Sequence, residues 1–440
     1  MHDAVVAPGG TDLTVDVRNL TRVEGEGSLH LRVRDGAVES AHLEIFEAPR
    51  YFERLVVART MDEVIDIVAR ICGICPVAYQ LTAVHAAESA FGIEVDPATV
   101  ALRRLLYCGE WIESHALHLY LLHLPDLLGY PSALELARDH RATVEDGLRL
   151  KRAGNTIVAR IGGRAIHPVS VRVGGFSRVL ARGEIASLRT DLEEAQRLAD
   201  ATIELVSTLE PPTFRRPARL VALRAPHEYP MNNGRIVSHD GLDIAADTWE
   251  SMFEERQVPW SHALQALGRD GRPYLLGPSA RVTLDGQQLH PRAADALARL
   301  GLADRIANEP HWSIAARAIE LVHAVAEAID IVDAYEPPAE AAVPWKPRAG
   351  TAAWATEAPR GLLFQRYLLD GDGHVIEARI VPPTSQNQAA IEADLALFAP
   401  TILDRPQEEI THLLEQLIRS YDPCISCATH FLQLEVEDVP

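Results

Sequence analysis

Two Cys-x-x-Cys pairs stand near opposite ends of the chain, Cys72/Cys75 in RICGICPVAY and Cys424/Cys427 in DPCISCATH. If both serve one site, the fold must bring its two ends around a common centre. A pair of this spacing at a helix end puts two sulfurs within reach of one ion, and the small residues Gly73 and Ser426 are expected to keep the turns uncrowded. Three readings are open. Structural zinc sites with four cysteines usually have their pairs about 12–20 residues apart, far closer than here. Thioredoxin-like chemistry needs one pair inside a βαβ unit; neither neighbourhood resembles one, and the second pair would be unexplained. A redox-active soft-metal site drawn from both ends uses all four thiolates, which select nickel, iron, copper or zinc over hard cations. Only Cys108 is left over, so this chain is expected to hold no iron-sulfur cluster, which takes four thiolates. Cys108 itself reads as a small buried hydrophobe.

The charge balance narrows the partners. With 42 Lys+Arg against 62 Asp+Glu, the formal net charge is -20, and a field of that sign repels phosphate backbones and anionic headgroups. Nucleic acid is not expected. No run approaches the roughly 18–20 apolar residues of a membrane helix, and MHDAVVAPGGTDL lacks the regions of a secretory signal. The expected location is cytoplasmic, without membrane insertion. At 440 residues, 47% of them apolar, the chain can bury a large core in several domains or one multilayer body.

Periodicity predicts a mainly α protein, a long-helix bundle with peripheral antiparallel β hairpins. Alternating apolar residues from Leu13 to Phe46 around Asp35-Gly36 read as a strand and a hairpin. Helical spacing then predicts helices over 61–92 (interrupted by the first Cys pair), 99–128, 133–161, 183–208, 311–335 and 406–421. The Pro-rich stretch 212–310 reads as mixed, with strand-like RLVAL and RPYLLG. GLLFQRYLLDGDGHVIEARIVPP reads as a second hairpin, preceded by an extended connection over 336–350. The expected division is residues 1–55 as the N-terminal hairpin region, 56–211 as a helical core with the first Cys motif, 212–310 as a peripheral subdomain, and 311–440 as core, second hairpin and C-terminal Cys motif.

The two Cys motifs, together with TRVEGEG at 21–27, PRYFE at 49–53 and EAPRG at 357–361, resemble the large, catalytic subunit of nickel-iron hydrogenases. The resemblance runs from about residue 18 to the end. CGICPVAYQ, GRAIHPVSVRVGGF and YDPCISCATH are most similar to the cytosolic, nicotinamide-linked bidirectional enzymes, sometimes called sulfhydrogenases. It implies reversible heterolytic cleavage of dihydrogen at a nickel-iron centre. Cys72 and Cys424 would be terminal nickel ligands, and Cys75 and Cys427 would bridge nickel to an iron carrying carbon monoxide and cyanide. A metal-bound thiol loses its proton far below its free pKa, so Cys424, or else Arg360, would take the proton.

The same resemblance makes Glu24 the first relay for that proton; taken alone it would be an ordinary hairpin acid. Pro359 and Arg360 would cover the open face of the metals, with Asp422 as the charge partner of Arg360; taken alone, Pro-Arg-Gly is a turn. Asp126 is expected either as a further acid near Arg360 or as a plain helix-terminal aspartate. Glu53, His430 and the backbone carbonyl of Arg379 would bind a magnesium or iron ion near the C-terminus. His115 and His118 share a helical face, which suits packed histidines more than a metal site. Two features depart from the family pattern or bear on processing. Tyr79 stands where many members have a histidine beside a bridging sulfur. The tail FLQLEVEDVP would be either a propeptide cut by a maturation protease after His430 or a retained end.

With no cluster cysteines of its own, such a subunit would require an iron-sulfur small subunit as partner. A flavin- and NAD(P)-binding diaphorase-type module would follow it, since no GxGxxG fingerprint is present here. The rival readings are a non-catalytic hydrogenase-like scaffold of a redox complex and a four-cysteine structural zinc protein.

Overall fold

The computed structural model describes residues 12–429 of the 440. His430 and the tail FLQLEVEDVP lie outside the described residues.

The chain opens with an antiparallel meander of β1 (Leu13–Val17), β2 (Gly27–Arg34) and β3 (Ala37–Ile45). Alternation in β2 puts Leu29, Leu31 and Val33 inside, as the period of two demands. Helix α1 (Met61–Val68) starts in a capping box between Thr60 and Glu63 and passes through one 3-10 turn, Ala69–Ile71, into Cys72. Helix α2 (Pro76–Phe91) begins directly after Cys75 with Pro76 in its first turn. It is buried on nearly all sides, so it runs through the core rather than over it.

Helix α3 (Pro97–Leu117) continues as a π-helical segment, His118–His123, and packs along α4 (Arg141–Gly162). The approach is close because both faces carry glycine: a Cβ on Gly154 would stand 2.5 Å from the Gly109 carbonyl oxygen and 2.5 Å from the Glu113 nitrogen. Helix α5 (Arg189–Ser207) lies against α4, and the strand β4 (Val221–Arg224) forms a sheet with β5 (Arg235–Ser238) and β6 (Asp243–Ala245). A two-stranded ribbon, β7 (Phe253–Gln257) and β8 (Leu264–Gly268), precedes α6 (Pro278–Asp285) and α7 (Ser313–Ala334), which is buried on all sides until its last two turns. Next comes a second meander, β9 (Gly350–Ala358), β10 (Gly361–Leu369) and β11 (Val375–Val381). Helices α8 (Pro383–Phe398) and α9 (Gln407–Ser420) then deliver the chain to Cys424.

The expected helical body with small antiparallel sheets is therefore present, with local differences. RPYLLG forms no strand beyond a single bridge at Leu275. The helices expected over 133–161 and 183–208 are each broken near one end, at His140 and around Ser187–Leu188. The long 99–128 helix changes to π spacing, with Pro125 starting a last short turn, Leu124–Leu127. No helix among the described residues is long and apolar enough to cross a membrane.

Candidate metal centre

Both ends of the chain meet in the largest buried apolar cluster, to which all four paired cysteines belong. Their sulfurs lie within 4.8 Å of one another and are buried. Cys72 Sγ is 3.5 Å from Cys424 Sγ, Cys75 Sγ is 3.9 Å from Cys427 Sγ, and the Cys424 and Cys427 sulfurs are 2.8 Å apart. None is in a disulfide.

Each pair is aimed by its backbone. After the 3-10 turn, the amides of Ile74 and Cys75 donate to Cys72 Sγ at 3.3 and 3.2 Å. The amides of Val77 and Ala78, in the first turn of α2, donate to the buried Glu110 carboxylate at 2.6 and 3.1 Å. Burial holds the Glu110 pKa well above the usual carboxylate range, against the pull of those amides. At the other end, Asp422 takes a left-handed conformation (φ 54) and the Cys424 amide donates to Thr384 Oγ1 at 3.0 Å. The Ile425 amide donates to the Glu24 carbonyl at 2.9 Å, closing a parallel bridge between residues 24 and 424. The expectation that Gly73 relieves crowding is not met: a Cβ there would touch nothing within 4 Å. Space is critical at Gly25 instead, where φ is +90 and a Cβ would lie 2.7 Å from Ile425 Cβ and from Glu47 Oε2.

Glu24 reaches the sulfurs directly. Its Oε2 is 3.1 Å from Cys424 Sγ and accepts the Ser426 amide at 3.1 Å. Opposite it, Pro359 and Arg360 form the two-residue turn between β9 and β10, where Ala358 pairs with Gly361. The turn is buried, not exposed. Arg360 donates to the Asp422 carbonyl at 2.9 Å, to Asp422 Oδ1 at 3.1 Å and to Ser114 Oγ at 3.5 Å. Burial works against its charge, but Asp422 and the neighbouring thiolates outweigh it and raise its pKa. Asp126 makes its ion pairs with other arginines. It is held by Arg419 at 2.7 Å and by Arg22, so the helical group beside Arg360 is Ser114.

A second buried arginine supports the first. Arg281, fully buried, donates to the carbonyls of Ala358 (3.0 Å) and Pro359 (2.9 Å), to Glu357 (2.8 Å) and to both oxygens of Glu320 (2.7 Å each). Its guanidinium lies 4.3 Å from the Trp111 ring centroid. Glu320 also takes His115 at 2.9 Å and the Tyr229 hydroxyl at 2.7 Å. His118 Nε2 sits 2.8 Å from the Arg419 carbonyl, so both histidines are packed, hydrogen-bonded groups. Cys108 is buried as expected.

Of the residues expected at the C-terminal ion, Glu53 and Arg379 lie among the described residues. Glu53, on the one-turn helix Phe52–Leu55, accepts the Ile380 amide at 2.7 Å. Because a trans peptide sets its C=O opposite its N–H, the Arg379 carbonyl of that peptide points away from Glu53, toward the β10 side where Arg379 pairs with Arg366. The expectation of Arg379 as a ligand beside Glu53 is therefore not met. Burial raises its pKa to about 7. The Arg379 side chain turns to Glu255 at 3.1 Å, a buried carboxylate that sequence reading missed. Tyr79 is fully buried, and its hydroxyl has no hydrogen-bond partner among the described residues. Burial and the thiolates keep its pKa high, leaving it a neutral donor.

The donor set fits a soft cation. Burial disfavours charging Cys72, but hydrogen bonds from Cys424, Cys427 and Cys75 outweigh it and pull its pKa down, whereas Cys424 is pushed up by its sulfur neighbours and by burial. Ionising all four sulfurs in this apolar setting requires a metal's positive charge.

The comparisons agree with this geometry. A family model described as "Nickel-dependent hydrogenase" matches residues 50–147. Sulfhydrogenase 1 subunit alpha of Pyrococcus furiosus is 33% identical over 432 residues, covering 96% of this chain and 99% of that protein. The chain belongs to the nickel-dependent hydrogenase family. Sulfhydrogenase 2 subunit alpha of the same organism is 32% identical, covering 96% of this chain and all of that protein. The large-subunit fold is shared with an NAD+-reducing [NiFe]-hydrogenase solved in the H2-reduced state, at TM-score 0.86 and 25% identity, covering 95% of this chain and 99% of that one. It is also shared with the [NiFeSe]-hydrogenase of Dm. baculatum, at TM-score 0.76 and 22% identity, covering 96% and 100%. This hydrogenase subunit is thus a catalytic oxidoreductase subunit acting on dihydrogen, and the scaffold and zinc readings find no support.

Proposed function

We propose that Cys72, Cys75, Cys424 and Cys427 would together hold the nickel and iron. The supporting observation is the buried convergence of four sulfurs from remote sequence positions within 4.8 Å. When bound, the two metals, the iron bearing carbon monoxide and cyanide, supply the Lewis acidity that polarises dihydrogen.

The chain's own residues provide the base and the enclosure. Cys424 accepts the proton, and Glu24, already at hydrogen-bond distance from its sulfur, carries it away. Arg360 keeps a fixed positive charge over the site, anchored by Asp422, and Pro359 closes the same turn. Glu53 and His430 would help to hold a magnesium or iron scaffold ion, and the Glu255 carboxylate, close enough to Glu53 to feel its charge, adds a further acid on the Glu53 side.

Electrons leave to an iron-sulfur small subunit and on to a flavin- and NAD(P)-binding module. The alpha-subunit names of the relatives, and the fold shared with an NAD+-reducing enzyme, support this route. So does the surface beside the first Cys pair. Gly73 is exposed, and the nearby loop, tied down by His167 Nδ1 2.7 Å from the Ala69 carbonyl, exposes Ile166 and Val169. An apolar patch of this kind suits the small subunit. The complex works in the cytoplasm.

Glu24→Gln tests the proton role. Gln keeps the hydrogen bond to the Ser426 amide but cannot carry a proton, so hydrogen oxidation is expected to fall by about 100-fold or more. Conversion of para- to ortho-hydrogen, which needs splitting and recombination but no proton export, should persist. Loss of both, with nickel retained, would count against the relay; a wild-type enzyme without nickel would count against the whole assignment.

A further inference from the structure

The hydrogen bonds around Glu24 continue outward within this chain. Ser426, the residue between Cys424 and Cys427, offers its amide to Glu24 Oε2 at 3.1 Å and its hydroxyl to Glu47 Oε2 at 2.8 Å. One residue thus bridges two carboxylates. Glu47 also accepts the Glu26 amide at 3.3 Å, and its side chain is 18% exposed, so it communicates with the surface of the chain. Two neighbours bear on its charge and placement: Arg50 Nε is 3.9 Å from Glu47 Oε1, and His262 Nδ1 is 3.3 Å from the Glu47 carbonyl. Gly25, between the two acids, is the residue where any side chain would strike both Glu47 Oε2 and Ile425. The bare backbone there leaves room for the carboxylates to converge on the serine.

The geometry points to Glu47 as the second proton carrier, reached from Glu24 through the Ser426 hydroxyl. This rests on the reading of Glu24 as the first relay. The transfer is a concerted exchange. Protonated Glu24 turns from the Ser426 amide toward the hydroxyl of the same residue and gives its proton to Oγ, forming one O–H bond. The existing Ser426 O–H bond breaks toward Glu47 Oε2. Glu24 is left as carboxylate, the serine unchanged, and Glu47 as a carboxylic acid that releases its proton to water. No electron moves and no other reactant is needed. The serine has to carry an O–H; its backbone contacts alone serve only structure.

The test uses the assembled, nickel-loaded enzyme and three variants, Glu47→Gln, Ser426→Ala and Ser426→Thr. Glutamine still accepts the serine hydroxyl, and alanine keeps both backbone contacts, so folding and metal content are expected to hold. Hydrogen oxidation and H2/D2O exchange should drop about tenfold or more in Glu47→Gln and Ser426→Ala. Para- to ortho-hydrogen conversion should stay at wild-type level, and Ser426→Thr, which restores the hydroxyl, should recover exchange. Wild-type exchange rates in both Glu47→Gln and Ser426→Ala would overturn the proposal while leaving Glu24 in place. An effect of Glu24→Gln without any of Glu47→Gln would overturn it equally. If Glu24→Gln itself exchanges normally, the earlier reading fails first.

Discussion

Replacing Cys424 by serine is expected to abolish hydrogen-dependent dye reduction and to leave the purified subunit depleted in nickel. The sulfur sits at the focus of the site, within reach of Cys72, Cys427 and Glu24 at 3.5, 2.8 and 3.1 Å. A serine hydroxyl has nearly the same shape but stays protonated and is a hard donor, so it cannot replace a thiolate toward a soft metal. Loss of an outer-shell partner typically costs about 10–100-fold in metal affinity, and loss of a direct ligand should exceed that. Elemental analysis and dye reduction on the same preparation provide the check, with circular dichroism to verify the fold. A Cys424→Ser protein with full nickel and undiminished activity would refute the assignment of the centre.

The second large effect is expected at a residue that touches no proposed metal ligand. Arg281→Leu should destabilise the protein by about 3–5 kcal/mol, the usual consequence of stranding buried charges by removing one partner. Glu320 shows why. Burial alone would raise its pKa, but Arg281 and His115 reverse this and bring it from 4.5 to about 2. A carboxylate held below its unfolded value contributes stability above the unfolded pKa and loses it as pH falls through the folded one. The stability gap between wild type and Arg281→Leu, read from urea unfolding, should therefore be widest near neutrality and shrink as pH falls toward 2. Adding Glu320→Gln should recover part of the stability but not the activity, because the Ala358 and Pro359 carbonyls lose their donor in either case. An Arg281→Leu enzyme with wild-type stability and turnover would show that the Pro359–Arg360 turn holds itself.

The reach of sequence reading varies with the chemistry of the residue. Cysteines are rare and their spacing is specific, so both pairs stood out; the hairpin carrying EAPRG was legible only through the motif, since a Pro-Arg-Gly turn is normally exposed. Asp126 was a plausible neighbour of Arg360 because acids near helix ends are common, yet two arginines from elsewhere, Arg22 and Arg419, claim it. Arg281, Glu320 and Glu110 carried no local signal at all, and Glu357 was legible only as part of the EAPRG motif, with no hint of its buried pairing to Arg281. Each reads as an ordinary surface charge in a helical or strand-like segment, and only burial turns it into a structural ion.

What the linear order determined was the inventory: four soft ligands in two short loops, the helix-forming stretches that bracket them, and the glycine that permits residue 25 to pass close to Ile425. The three-dimensional fold decided everything that depends on distance through space. It set which acid faces Cys424, that Ser114 rather than Asp126 meets Arg360, and that Ser426 links two glutamates. The reason is physical: covalent spacing governs contacts over a few residues, whereas charge pairing and desolvation depend on which remote segments the packed core brings to within a few ångströms.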